Sequence, residues 1–142
     1  MKTNHYLGVA TLISGAGTAF AGYLSYQRAT SGICAFAEPC PFFLGHPACY
    51  TGFALFATAF LVSLAAFLYK VEAAWPKAAN LAVAAAGTAL ASWMTRDEMV
   101  AHAGYRLGLP TCAYGLVFFV GLMVWTLADS TSHEHAPRTA TR

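Results

Sequence analysis

The sequence predicts an all-α membrane protein whose four transmembrane helices form two parallel helical-hairpin repeats. Three observations carry that expectation: a scarcity of charge, four long apolar stretches, and a motif that occurs twice. The chain has 142 residues, of which 58% are hydrophobic and only 10% charged. Its mean hydropathy is +0.53. Soluble domains carry about 25% charged residues, so a soluble fold of this size would lack the charge to cover its surface. The net charge is +2, and no basic block stands out. Nucleic-acid binding therefore has no support.

The apolar stretches fall near 6–27, 48–69, 78–94 and 111–128. A span needs about 20 mostly apolar residues, and none of the four has a charged residue in its interior. Backbone groups in lipid must be satisfied within the segment, which requires helices where the alternation of a barrel is missing. The first stretch also resembles a secretory leader, with a small-residue site at Ala19, Phe20 and Ala21. Its sequence returns in the third stretch, however, where no targeting role is open to it.

The repeat sets the organisation. Gly45, Pro47, Cys49 and Gly52 recur as Gly108, Pro110, Cys112 and Gly115, and each copy runs into an apolar segment in which Phe56 matches Phe119. Upstream, Ala16, Gly17 and Thr18 recur as Ala86, Gly87 and Thr88. One membrane domain over 1–128 then divides into a first repeat near 6–69 and a second near 78–128. Repeats with an even number of spans are parallel, related by an axis along the membrane normal. Such an axis puts Cys49 and Cys112 at equivalent depth, each in the first turn of its helix, while Gly52 and Gly115 one turn below let helices approach. The first and third spans carry small residues (Gly8, Gly15, Gly22; Ala85, Ala89). The second and fourth carry bulk (Phe53, Phe56, Phe60, Phe67; Phe118, Phe119, Trp125). Small faces against large ones allow close packing in lipid.

Between the spans, 28–47 is an apolar loop holding Cys34 and Cys40, expected on the membrane surface or as a cap. Residues 70–77 form a short turn. The stretch 95–110, with Arg96, Asp97, Glu98 and Arg106, is a loop with room for a short amphipathic helix. The polar segment 129–142 is expected to be a disordered tail. Lys2, Lys70, Lys77, Arg138 and Arg142 fall on one side of the membrane and Arg28, Arg96 and Arg106 on the other. That excess favours both termini in the cytoplasm, in a bacterial inner membrane, with all four cysteines facing outward into the oxidising periplasm.

Four cysteines allow three pairings, and local spacing favours Cys34 with Cys40 and Cys49 with Cys112. Two readings stay open at this point. Both pairs are inert disulfides that fix the outer cap, or the two pairs exchange, which needs a thiolate with access to a disulfide sulfur. A zinc site using His46 or His102 has no compact ligand spacing behind it, and no metal is expected.

These features resemble the vitamin K epoxide reductase and disulfide-bond formation protein B group of four-helix membrane thiol oxidoreductases. A loop cysteine pair follows the first span. Gly45, Pro47 and Gly52 open the second, and Cys112 opens the fourth where that group has a membrane-proximal C-x-x-C. Here only the first cysteine of that motif is present, and Cys49 would supply the partner from the second span. The resemblance implies that a thioredoxin-like periplasmic protein exchanges with Cys34 and Cys40. That pair would exchange with Cys49 and Cys112. Electrons would then reach a quinone lying among Phe53, Tyr114, Phe118 and Phe119. The alternative is a non-enzymatic structural or assembly subunit of a larger membrane complex, held by two structural disulfides. Buried ionisable groups mark transport pathways, and their scarcity here argues against a pump, transporter or channel.

Overall fold

The computed structural model describes residues 2–32, 42–71, 74–101 and 111–134. Four helices carry nearly all of them: α1 (Lys2–Ser31), α2 (Ala48–Leu68), α3 (Trp75–Ala101) and α4 (Thr111–Glu134). Two short strands, β1 (Phe42–Phe43) and β2 (His46–Pro47), pair antiparallel just before α2. Cys34 and Cys40 lie outside the described residues.

α1 is rich in hydroxyl side chains, which would be costly in lipid if left unpaired. It satisfies them internally. Thr11 donates to the Leu7 carbonyl at 2.7 Å, Ser14 to Ala10 at 2.6 Å, Thr18 to Ser14 at 2.7 Å and Ser25 to Ala21 at 2.8 Å. The helix ends where Gly32 turns to φ 70° and donates its N–H to the Arg28 carbonyl at 3.1 Å. That is a left-handed C-terminal cap, a conformation glycine adopts without steric cost. At the β1–β2 turn, Leu44 and Gly45 both have positive φ, 51° and 81°, as a two-residue hairpin turn of the right twist demands. Pro47 then caps α2.

α2 ends in a Schellman motif. Val71 donates to the Ala66 carbonyl at 3.0 Å and Lys70 to Phe67 at 3.4 Å, with Lys70 at φ 50°. α3 starts on Trp75 and Pro76, and a proline in the first turn loses no hydrogen bond.

The helices form an up-and-down bundle in which α1 and α3 each lie beside both α2 and α4. The α1–α2 seam follows the small-against-large expectation residue by residue. Gly8 faces Phe67, Gly15 faces Phe60 and Gly22 faces Phe53. Both series step by seven residues in opposite directions, as an antiparallel pair requires. Gly17 faces Phe56 and Gly87 faces Phe119 more closely still: a Cβ there would stand 2.5 Å and 2.3 Å from the ring. The core has two parts. Tyr6, Leu7, Ala10, Ala59, Ala66, Ala84 and Leu122 fill one end, and Ala21, Phe56, Ala91 and Phe119 the other.

Among the described residues, three helices are long and apolar enough to cross a membrane, over Asn4–Ser31, Ala48–Leu68 and Thr111–Thr131. α3 is a 27-residue helix, but it falls short of that apolarity. Alanines make up much of it, and each adds little hydropathy beside Asn80, Thr88 and Ser92. Helix ends also differ from expectation. α3 runs through Arg96, Asp97 and Glu98 to Ala101, and α4 continues past Ala128 to Glu134.

Candidate functional site at the heads of the second and fourth helices

Cys49 and Cys112 each fall in the first turn of their helix, at the same end of the bundle. Both are half-buried and both line one cavity of about 80 Å³. Its walls are Phe20 and Leu24 of α1, Leu55 of α2, Leu90 and Met94 of α3, and its lining holds no charged side chain. Cys49 is a free thiol, so the expected bridge between Cys49 and Cys112 is not formed.

Gly52 and Gly115 also line this cavity, and a Cβ on either would meet nothing within 4 Å. The expectation that they bring helices together is therefore corrected. The motif glycines leave space, and close approach falls to Gly17 and Gly87.

Phe56 and Phe119 lie one heptad below the cysteines on α2 and α4, about two turns or 10 Å along the helix. Their rings stack with centroids 3.9 Å apart and planes 9° from parallel. Both rings line the cavity. Of the residues expected around a cofactor, Phe119 is the one that lines it. Phe118 and Tyr114 stand behind the wall, with ring centroids 6.0 Å and 5.9 Å from that of Phe20. Phe53 packs on Gly22 and is otherwise turned outward, 40% exposed. The sequence reading missed Phe20, Phe56, Leu90 and Met94 as lining residues. The match of Phe56 to Phe119 in the repeat was the signal available for one of them.

A second cluster sits at the opposite end and draws one polar side chain from every helix. Tyr6, Ser63, Asn80 and Thr126 are all buried. Asn80 donates its amide N–H groups to Ser63 Oγ at 2.8 Å and to the Tyr6 hydroxyl at 3.3 Å. Thr126 donates to the Leu122 carbonyl at 2.8 Å, which leaves its oxygen to accept from the Tyr6 hydroxyl at 3.1 Å. Trp125 Nε1 donates to the Tyr6 carbonyl at 3.3 Å. Lys77 pairs with Asp129 across α3 and α4, and its ammonium stands 5.1 Å from the centre of the Tyr6 ring. These contacts tie the four helices together at that end, although the Asn80 Oδ1 is buried without a hydrogen-bond partner among the described residues.

No protein-family model, curated protein or solved structure matches this chain.

Proposed function

We propose that this chain is an integral membrane thiol–disulfide oxidoreductase of the bacterial inner membrane, with both termini cytoplasmic and its cysteines outward. One observation carries the reading: two thiol-bearing residues from different helices line a single uncharged, aromatic-floored cavity at one end of the bundle. In this reading all four helices cross the membrane, α3 shielded by the bulk of α2 and α4. The two hairpins are parallel repeats. Equivalent contacts support that, since Gly17 meets Phe56 as Gly87 meets Phe119. Cys49 and Cys112, Phe56 and Phe119, Ser63 and Thr126 hold matched positions on α2 and α4.

A dithiol on a thioredoxin-like partner reduces a Cys34–Cys40 disulfide and leaves as a disulfide. The Cys34–Cys40 dithiol then reduces a disulfide between Cys49 and Cys112. Each exchange moves two electrons and breaks one S–S bond as it forms another. The cavity residues fit a neutral, flat, apolar acceptor, since Phe20, Phe56, Phe119, Leu90 and Met94 offer apolar and aromatic contact and no counter-charge. A quinone bound there supplies the acceptor for the two electrons and two protons released when the two thiols close. Exchange requires a Cys49–Cys112 bridge that opens and closes, whereas a structural subunit held by two disulfides requires it closed throughout.

Replacing Cys112 by Ser tests this. The expected outcome is a trapped mixed disulfide between Cys49 and Cys34 or Cys40, seen by mass spectrometry of the peptides. Quinone-dependent oxidation of a dithiol substrate should stop. Retained turnover would sink the assignment. A chain that merely loses about 2–5 kcal/mol of stability, as on removal of a native disulfide, with no turnover in the parent, would favour the structural-subunit reading.

A further inference from the structure

Cys49 precedes Phe56 by one heptad on α2, as Cys112 precedes Phe119 on α4. One heptad returns a helix to within about 20° of the same face. α2 and α4 run in the same direction through the up-and-down bundle, and the two rings meet between them with centroids 3.9 Å apart. The cysteines above the rings therefore face each other across the bundle as well. A thiol is far shorter than a phenyl ring, so the cysteine pair leaves open volume where the rings leave none. That volume is the cavity of about 80 Å³, which Cys49 and Cys112 both line. A third sulfur-bearing side chain lines it from α3. This is Met94, 8% exposed, and three rotatable bonds let a methionine thioether adapt to its surroundings. The lining holds no carboxylate, imidazole or other charged side chain.

We propose that Cys49, Cys112 and Met94 form a binding site for a soft monovalent cation, Cu(I), held between two thiolates with the thioether as third ligand. Donor type points to this ion, because thiolate and thioether sulfur select Cu(I) over harder cations. A structural zinc ion takes four ligands, and among the described residues no three His, Cys, Asp or Glu side chains gather. Charge points the same way. Two thiolates and one Cu(I) carry a single net negative charge. Both cysteines lie in the first turn of their helices, and each helix N-terminus contributes about half a positive charge, so the two together offset it. A divalent ion would leave about one positive charge uncompensated, in a lining with no anion to meet it. Reach also suits an ion. Two metal–thiolate bonds of about 2.3 Å span about 4.6 Å, more than twice a disulfide bond of about 2.05 Å, so a cation can bridge two thiols that face each other with no disulfide between them. Binding exchanges two thiol protons for one Cu(I) and changes no oxidation state. The inference needs both thiols reduced and does not rest on the exchange reading.

The test uses the full chain in lipid nanodiscs with Cys34→Ala and Cys40→Ala as background, so that Cys49 and Cys112 are its only thiols. The chain is reduced, freed of reductant and titrated anaerobically with Cu(I) against bathocuproine disulfonate, a coloured Cu(I) chelator. One Cu(I) per chain should bind, and an equal concentration of Zn(II) should not displace it. Cys49→Ser and Cys112→Ser should each weaken binding about a hundredfold or more, beyond what loss of a group that merely supports a ligand costs. Met94→Leu keeps the volume and should weaken it about threefold to tenfold through loss of the thioether. No Cu(I) binding in the background, displacement by Zn(II), or a serine variant that binds as tightly as the background overturns the site. Unchanged affinity in Met94→Leu overturns the three-sulfur arrangement. Should a serine variant fail to fold, X-ray absorption at the copper edge of the background decides: a shell of sulfur alone upholds the site, and a shell of nitrogen or oxygen refutes it. Turnover of a dithiol, measured without copper, tests the exchange reading separately.

Discussion

Asn80 shows how a single side chain can matter more inside a membrane bundle than its sequence suggests. It is fully buried and donates to Ser63 and Tyr6, which come from two other helices. Replacing it by Ala removes both donors and leaves two hydroxyls short of a partner. The expected cost is about 1–2 kcal/mol, since hydrogen bonds between membrane helices are modest and orphaned groups add a penalty. Detergent-denaturation midpoints should show this loss while the rate of Cys49 alkylation stays as in the parent. An unchanged midpoint would mean that the cluster does not hold the helices. Little of this site was legible beforehand. Tyr6, Ser63, Asn80 and Thr126 stand on four separate segments, and each alone reads as a tolerated polar residue. Only the bundle brings them together. The cysteine end was more legible, because the recurring Gly, Pro, Cys, Gly spacing put Cys49 and Cys112 at matching helix heads. The aromatic lining was read less well. Phe118 and Tyr114 are adjacent in sequence to the cavity wall, but helical rotation of 100° per residue turns them behind it.

At the scale of the element, small and bulky faces could be paired from sequence, and the seam of Gly8, Gly15 and Gly22 against Phe67, Phe60 and Phe53 follows from them. Helix ends could not be read the same way. Hydrophobicity reports where a segment leaves lipid, whereas a helix continues as long as its backbone bonds do. Arg96, Asp97 and Glu98 therefore ride on α3 beyond its apolar stretch, and 129–134 extend α4. The β1–β2 hairpin was also invisible, because two-residue strands are too short to show a period. Its turn places Leu44, not Asn or Asp, at a left-handed position. The Schellman cap of α2 offers a prediction at this scale. Lys70 holds φ 50° with no side-chain requirement for it. A β-branched residue tolerates that conformation poorly. Lys70→Val should therefore lower stability by about 1–2 kcal/mol, whereas Lys70→Gly should leave it equal or slightly higher. Thermal unfolding in detergent measures both. Equal losses for the two variants would point to the lysine charge and not the backbone.

The whole molecule turns on whether α3 crosses the membrane. Its apolarity falls below that of α1, α2 and α4, yet its place in the bundle argues for a span. α3 lies beside both α2 and α4, and it contributes to both core clusters, through Ala84 at one end and Ala91 at the other. It also lines the cysteine cavity with Gly87, Leu90 and Met94, and it reaches the opposite polar cluster with Lys77 and Asn80. A helix that touches both ends of a bundle whose other members are long enough to cross must itself run their length. Inside the bundle, Phe119 of α4 packs on the bare backbone of Gly87. In the proposed arrangement of four crossings the ends alternate. Met99 at the far end of α3 is exposed, as is Lys70 before its start. Single cysteines placed there as Met99→Cys and Lys70→Cys, in a chain with its native cysteines replaced by alanine, should react from opposite sides with a membrane-impermeant maleimide. In intact cells the Met99 position should label and the Lys70 position should label only after the membrane is opened, given the excess of Lys and Arg on the Lys70 side. Labelling of both positions from the same side would remove α3 from the membrane and break the parallel repeat. Opposite sides in the reverse order would keep the four spans and the repeat, but would turn the cysteine cavity toward the reducing cytoplasm, where an exchanging pair would need a different electron donor.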